Sequence, residues 1–440
     1  MRARPAAGDA RLDLVMTSAF TILFVAALVA MLATRLWLAA RQIAHVKRHR
    51  EHVPAAFADR VGLAAHQKAA DYTTAKQKLG RIETVVEALV LLGLTLGGGL
   101  AFLVRWTDGL GVGPLWQDVA LFAGLAVVSA AASLPFSWYS TFVVEERFGF
   151  NRMTLGLWLA DLAKGVAVAV ALGLPLLFVA LWLMRAAGPH WWLWTWVAWM
   201  AFQLLVLVLY PTVIAPLFNK FEPLPAGSAR ARIEALLARC GFSSAGLFVM
   251  DGSRRSGHGN AYFTGLGRAK RVVFFDTLLA RLDGDELEAV LAHELGHFKL
   301  RHIAKRIAWS AAASLAFLAL LAWLAGKPWF YTGLGVPADL LPAALARPGV
   351  ALALFALVLP AFTFALAPLA AQYSRRHEFE ADAFAARISG GPALVRALVK
   401  LYEDNAATLT PDPVHSAFYD SHPPAGERVA RLASLAPVAA

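Results

Sequence analysis

Seven long apolar stretches constrain this 440-residue chain more than anything else in it, at roughly 14–34, 84–104, 117–138, 165–184, 191–214, 307–326 and 350–372. A hydrocarbon layer about 30 Å thick is crossed by about 20 helical residues, so each stretch reads as a membrane span. Composition agrees: 58% of residues are hydrophobic and 16% charged, against about 45–50% and about 25% in soluble domains. The first stretch is too long for a signal-peptide core and no small-residue cleavage site follows it cleanly, so a retained span is expected. Pro211 and Pro216 near the end of the fifth stretch, and Pro360 and Pro368 in the seventh, predict kinks. Neighbouring helices or cavity water must then satisfy the freed backbone groups.

Charge sets the expected orientation. With the N-terminus outside, and leaving out Lys164 at a helix end, the inner segments 41–82, 139–164, 216–306 and the tail after 373 hold 32 Lys and Arg, against 7 in the outer ones. That asymmetry places the C-terminus and the long insert on the cytoplasmic side. The net charge of +11 then points to the anionic leaflet of a lipid bilayer as partner and not to nucleic acid, because the basic residues cluster beside apolar spans. Cys240 is the only cysteine, which excludes an intrachain disulfide and a thiolate metal cluster. The bias toward Ala, Leu, Arg and Gly suggests a GC-rich bacterial source, for which the expected location is the inner (plasma) membrane.

The expected division is a five-span region 1–215 carrying the basic loop 41–82, an insert 216–306, two spans over 307–372 and a helical tail 373–440. No internal repeat is visible. Within the insert, 228–240 has a helical apolar pattern, LFVMD at 247–251 and RVVFFD at 271–276 read as short strands, and GNAYFTG at 259–265 reads as a third, joined to the last by a turn over 266–270. A helix follows, with Asp283 and Glu286 in the capping-box arrangement.

That helix carries AVLAHELGHFKL. His293 and His297 are four apart, one turn along one face, where both imidazoles can reach a single ion. Glu294 lies about 100° round the helix from His293, placed to touch a metal-bound water without binding the metal. Surface histidines on an ordinary helix are the plain alternative. Gly296 speaks against it: glycine costs a helix near 1 kcal/mol and suits a position where something packs closely. Beyond the seventh stretch, SRRHEFEADAFAAR at 374–387 offers His377, Glu378 and Glu380 within one turn. Only Glu378 shares its face with Asp382 four residues on. Two histidines and a carboxylate, with a fourth position left for water, form a known catalytic zinc set. A carboxylate bonded to a ligand histidine is the usual support. Read alone, this second segment is a charged helix with local salt bridges.

Together the two segments resemble the integral-membrane zinc metalloproteases of the CAAX prenyl protease type 1 family. EERFGFNRMTL at 145–155, YPTVIAPLFNKFEPLP at 210–225, GNAYFTG at 259–265, KRVVFFDTLL at 270–279 and SHPPAGERVARL at 421–432 extend the resemblance in order. It implies an all-α multi-pass membrane protein of about seven transmembrane helices, with a small α+β zinc metalloprotease domain on the cytoplasmic side. It implies one Zn2+ per chain held by His293, His297 and Glu378, with Glu294 as base and Asp382 orienting a histidine ligand. Asn260 and His422 would assist the oxyanion or hold the substrate, and the strand at Asn260, Ala261 and Tyr262 would receive an extended peptide by main-chain hydrogen bonds. His258, His302 and His377 receive no role. The family also encloses a water-filled chamber among its helices, which would bring water and peptide to the metal.

The implied substrate is a peptide or protein, prenylated in the reaction that names the family. For a bacterial chain the expectation shifts to turnover of misfolded or membrane-associated peptides. A membrane transporter or scaffold with a structural zinc site is the alternative from another class. A structural site takes a fourth protein ligand, and the sequence offers none.

Overall fold

A computed structural model describes residues 7–242, 246–264 and 271–435. Among these, six helices are long and apolar enough to cross a membrane, and a bent pair makes up to seven. The bent pair is the second expected span. Leu63–Leu94 and Gly99–Asp108 meet at 51°. A Cβ on Gly97 or Gly99 would fall 2.8 Å from Gly93 backbone, and Gly98 has φ +78°. The turn therefore requires glycine at all three positions. The spans interlock through Phe24, Leu121, Phe330 and Leu354, all fully buried. Their outer surfaces stay apolar and exposed, as at Ile22 and Val127 (69% each).

The expected kinks fall where proline removes a backbone donor. Pro211 sits in a π-helical turn, Tyr210–Ile214, that ends the Trp191–Leu209 helix. Pro360 lies within Pro348–Thr363, and a 3-10 turn at Phe364–Leu366 leads to Ala367–Ser389, with Pro368 in its first turn. The seventh span thus runs on into the segment carrying Glu378. At the opposite end of the bundle, fully buried Asp118 accepts from Arg347 Nε (2.9 Å), Arg185 Nη2 (2.6 Å) and the Gly349 backbone (3.1 Å). Buried charges persist only when so paired.

The basic segment 41–82 is not the loop expected of it. The first helix, Ala7–Arg48, runs straight through residue 41, and Leu63–Leu94 begins well before the second span. No proline or glycine interrupts 34–48, so the backbone continues as helix beyond the apolar stretch. Arg41 then reaches Asp412 of the tail at 3.0 and 3.2 Å.

The insert builds a four-stranded sheet from β1 (Phe221–Pro223), β2 (Gly246–Met250), β3 (Ala261–Thr264) and β4 (Arg271–Phe275), in the order β1-β2-β4-β3. β2 and β4 are parallel, with Phe248 opposite Val273, and β3 pairs antiparallel with β4, with Ala261 opposite Phe274. β3 is thus an edge strand. β1 has no counterpart in the expected strands because Pro223 argues against one, yet an edge tolerates proline. The expected turn at 266–270 lies outside the described residues. Beneath the sheet, Leu236, Phe274, Leu291, Leu295 and Leu394 form a buried core that also receives Phe57 from the 41–82 segment.

Candidate active site

The helix bearing the two histidines is Gly284–Lys299. Its start is fixed by the expected capping box: Asp283 Oδ1 accepts from Glu286 N at 2.9 Å, and Glu286 Oε2 accepts from Asp283 N at 3.0 Å. It packs tightly against Ala367–Ser389. A Cβ on Gly296 would lie 3.0 Å from Ala381 Cα, and Ala381 and Ala385 are fully buried. Any larger residue at these positions would push the helices apart and separate the groups they carry.

What the close approach brings together is His293, His297 and Glu378. Each offers one donor atom, and all three lie within 4.8 Å of one another. His293 Nε2 and His297 Nε2 are 3.2 Å apart, and Glu378 places Oε1 3.3 Å from the second and Oε2 3.4 Å from the first. Three donors at about 2.0–2.1 Å from a tetrahedral zinc would be about 3.3 Å apart. The residues fit the ion. Two further observations agree. Glu378 Oε2 is buried with no hydrogen-bond partner among the described residues. Burial pulls the His293 imidazole down, but Asp382 and Glu378 beside it overcome this and push it up to about 9, so the spot favours a cation.

Asp382 lies where the i,i+4 spacing puts it, with Oδ1 2.9 Å from His293 Nδ1. That leaves Nε2 of His293 facing the other donors. Asp382 is itself gripped by Arg428, whose Nη2 and Nε donate at 2.6 and 2.8 Å, all of it buried. Arg428 is the residue that the sequence reading missed. A signal for it exists: with Ala425, Val429 and Leu432 it occupies the buried face of the Ala425–Ser434 helix, a face otherwise apolar.

Glu294 is outside the donor group and fronts a cavity of about 330 Å³, also lined by His293, Asn260, Ala261, His422 and Leu398. Burial raises the Glu294 carboxyl above its ordinary range, opposed by His293 and His297. His422 enters from the tail, with Nε2 3.4 Å from Glu378 Oε2 and much of its ring exposed. Asn260 precedes β3, and its carbonyl accepts from Phe275 N at 2.9 Å. Tyr262, on the alternate face of the strand, turns to Met250 Sδ (3.9 Å) and the Phe275 ring, away from this cavity.

The three histidines without an expected role are all packed. His258 stacks on Phe150 at 4.4 Å, and its Nδ1 lies 3.2 Å from Asn405 Oδ1. Asn405 also accepts from Gly259 N at 3.1 Å, so it holds the approach to Asn260. His302 and His377 stack face to face at 4.0 Å.

Residues 42–220 match the family description "CAAX prenyl protease N-terminal, five membrane helices", and residues 223–436 match peptidase family M48. The chain belongs to the CAAX prenyl protease 1 family. The Oryza sativa CAAX prenyl protease 1 homolog is 38% identical over 72% of this chain and 73% of its own length. The Saccharomyces cerevisiae CAAX prenyl protease 1 is 35% identical over 72% of each. The crystal structure of S. mikatae Ste24p superposes with a TM-score of 0.87 at 30% identity, covering 94% of this chain and 99% of that one. This membership makes the chain an integral-membrane metallopeptidase of a zinc-dependent family, a hydrolase of peptide bonds. The transporter or scaffold reading finds no support in these similarities.

Proposed function

We propose that the chain is an endopeptidase in which His293, His297 and Glu378 hold one zinc ion and Glu294 is the catalytic base. The observation that carries this reading is the convergence of three donor atoms within 4.8 Å at the wall of a cavity that Glu294 shares with an edge strand. When bound, the ion lowers the pKa of its water toward about 7 and polarises the scissile carbonyl. Glu294 accepts a proton at its carboxylate from a water at the site and delivers it to the leaving amine. A carboxyl raised by burial suits both halves of that exchange. Asp382 keeps His293 in the tautomer whose Nε2 faces inward, and Arg428 keeps Asp382 ionised and in place.

Substrate lies extended along β3, adding to its free edge by main-chain hydrogen bonds at Asn260, Ala261 and Tyr262. Asn260 and His422 face the same cavity and would donate to the oxygen on which negative charge develops. The charge asymmetry supports a cytoplasmic location for the site, in the plasma membrane for a bacterial chain. A peptide or protein is the substrate, and prenylation is the open variable. It is tested by purifying the protein in detergent, measuring zinc, and assaying a prenylated peptide beside its unprenylated twin. Chelator-sensitive cleavage supports the peptidase. Equal rates on both peptides would discard lipid recognition and leave the peptidase standing.

A further inference from the structure

Asp382 supports His293, but among the described residues no carboxylate touches the outer nitrogen of His297. A third histidine stands there instead. His297 Nδ1 is 3.0 Å from His302 Nδ1, and His302 Nε2 is 3.1 Å from Glu380 Oε2. His302 begins the next helix, His302–Ala325, immediately after a left-handed residue, Arg301 (φ 57°). That reversal turns the ring back onto the helix it has just left. The His302 ring is 1% exposed and lies flat against His377, 4.0 Å away and 9° from parallel, and His377 is in turn met edge-on by Tyr373. Its plane is therefore held on one face and its two nitrogens at both ends.

The proton positions in this chain are forced, given the zinc reading above on which the inference rests. If His297 presents Nε2 to the ion, its Nδ1 carries hydrogen and must donate. His302 Nδ1 then accepts, so hydrogen sits on His302 Nε2 and points at Glu380. We propose that His302 and Glu380 are positioning residues for zinc binding, a carboxylate relayed through one imidazole that fixes the tautomer and orientation of His297. The two zinc histidines are then held by different devices, Asp382 directly for His293 and Glu380 through His302 for His297.

His302, His377 and Glu380 also have donor atoms within 4.8 Å of one another, which raises a second metal site as the competing use of the same residues. Its geometry is unfavourable. A metal lies in the plane of the imidazole it binds, and two rings stacked in parallel direct their lone pairs side by side, not to a point. Glu380 is moreover occupied by Arg376 (3.1 Å) and neighboured by Lys305 (4.0 Å).

The test is zinc affinity by chelator competition on detergent-purified full-length protein, with the thermal midpoint of the metal-free form measured alongside. His302→Ala is expected to weaken zinc about 10- to 100-fold and, as a buried ring is lost, to lower the metal-free midpoint as well. His302→Asn, whose amide oxygen can still accept from His297, is expected to recover most of that loss. Glu380→Gln is expected to lose less than His302→Ala, and wild type to hold one zinc. Should His302→Ala not fold, the Asn and Gln variants carry the same ordering. Affinity unchanged in His302→Ala, or two zinc ions in wild type falling to one in that variant, overturns the relay. A wild type that binds no zinc would instead overturn the ligand assignment beneath it.

Discussion

Two clusters of the same composition, two histidines and a glutamate, stand next to each other where the Ala367–Ser389 helix meets the helices Gly284–Lys299 and His302–Ala325. In one, Glu378 meets the Nε2 atoms of His293 and His297 at 3.3–3.4 Å, and its Oε2 makes no geometrically good hydrogen bond among the described residues. In the other, Glu380 is bonded to His302 and Arg376, and the two histidine rings lie flat on one another. Residue types do not separate them. Helix phase does: Glu378 is on the face that Gly296 allows to come within van der Waals contact, and Glu380 is about 200° away. On the proposed reading, which face is buried against which decides that Glu378 is the ligand and Glu380 the support.

The sharpest way to break this contrast is to remove the two carboxylates in turn. Glu378→Ala is expected to abolish both tight zinc binding and peptide cleavage. Glu380→Ala, assayed in parallel by elemental analysis at saturating zinc, is expected to stay near one ion per chain. The reverse result would show that the helix phase is wrong and the ligands must be redrawn. Next in size is Arg428→Ala, which leaves the buried Asp382 without its guanidinium partner and with only His293 beside it. Removing one partner of a buried pair costs about 3–5 kcal/mol, and thermal unfolding should show it while an exposed Arg376→Ala control stays close to wild type.

Gly296→Val probes the close approach itself. Overpacking of this kind costs about 1–3 kcal/mol, and because the strain falls between the two ligand-bearing helices, zinc affinity should drop together with the thermal midpoint. A drop in stability with wild-type affinity would mean that the approach does not set the site. His377→Ala, which removes a stacking partner and no polar contact to His297, is expected to leave zinc occupancy unchanged.

Legibility from sequence followed the range of the interaction. The spans, the capped histidine helix and the Glu378–Asp382 pair all rest on periodicity within one segment, and each was readable. So was the need for a small residue at Gly296, although its neighbour Ala381 was not. Arg428 was missed because its pairing with Asp382 joins two helices 46 positions apart, and no local pattern reports a charge on an apolar face unless that face is drawn. His302 carries no local signal for a related reason: a sharp turn at Arg301 returns it to His297, and helical spacing does not report across a turn. Segment 41–82 reads as a loop in the sequence because hydropathy marks where the apolar run ends and not where the helix ends.

The proposed mechanism places one ion among His293, His297 and Glu378 and has Glu294 move the proton. It is tested most directly by Glu294→Gln, measured for zinc content and for peptide cleavage in one preparation. Zinc near one per chain, with hydrolysis reduced by several orders of magnitude, is the expected result. Cleavage close to wild type in a zinc-loaded Glu294→Gln protein would contradict it.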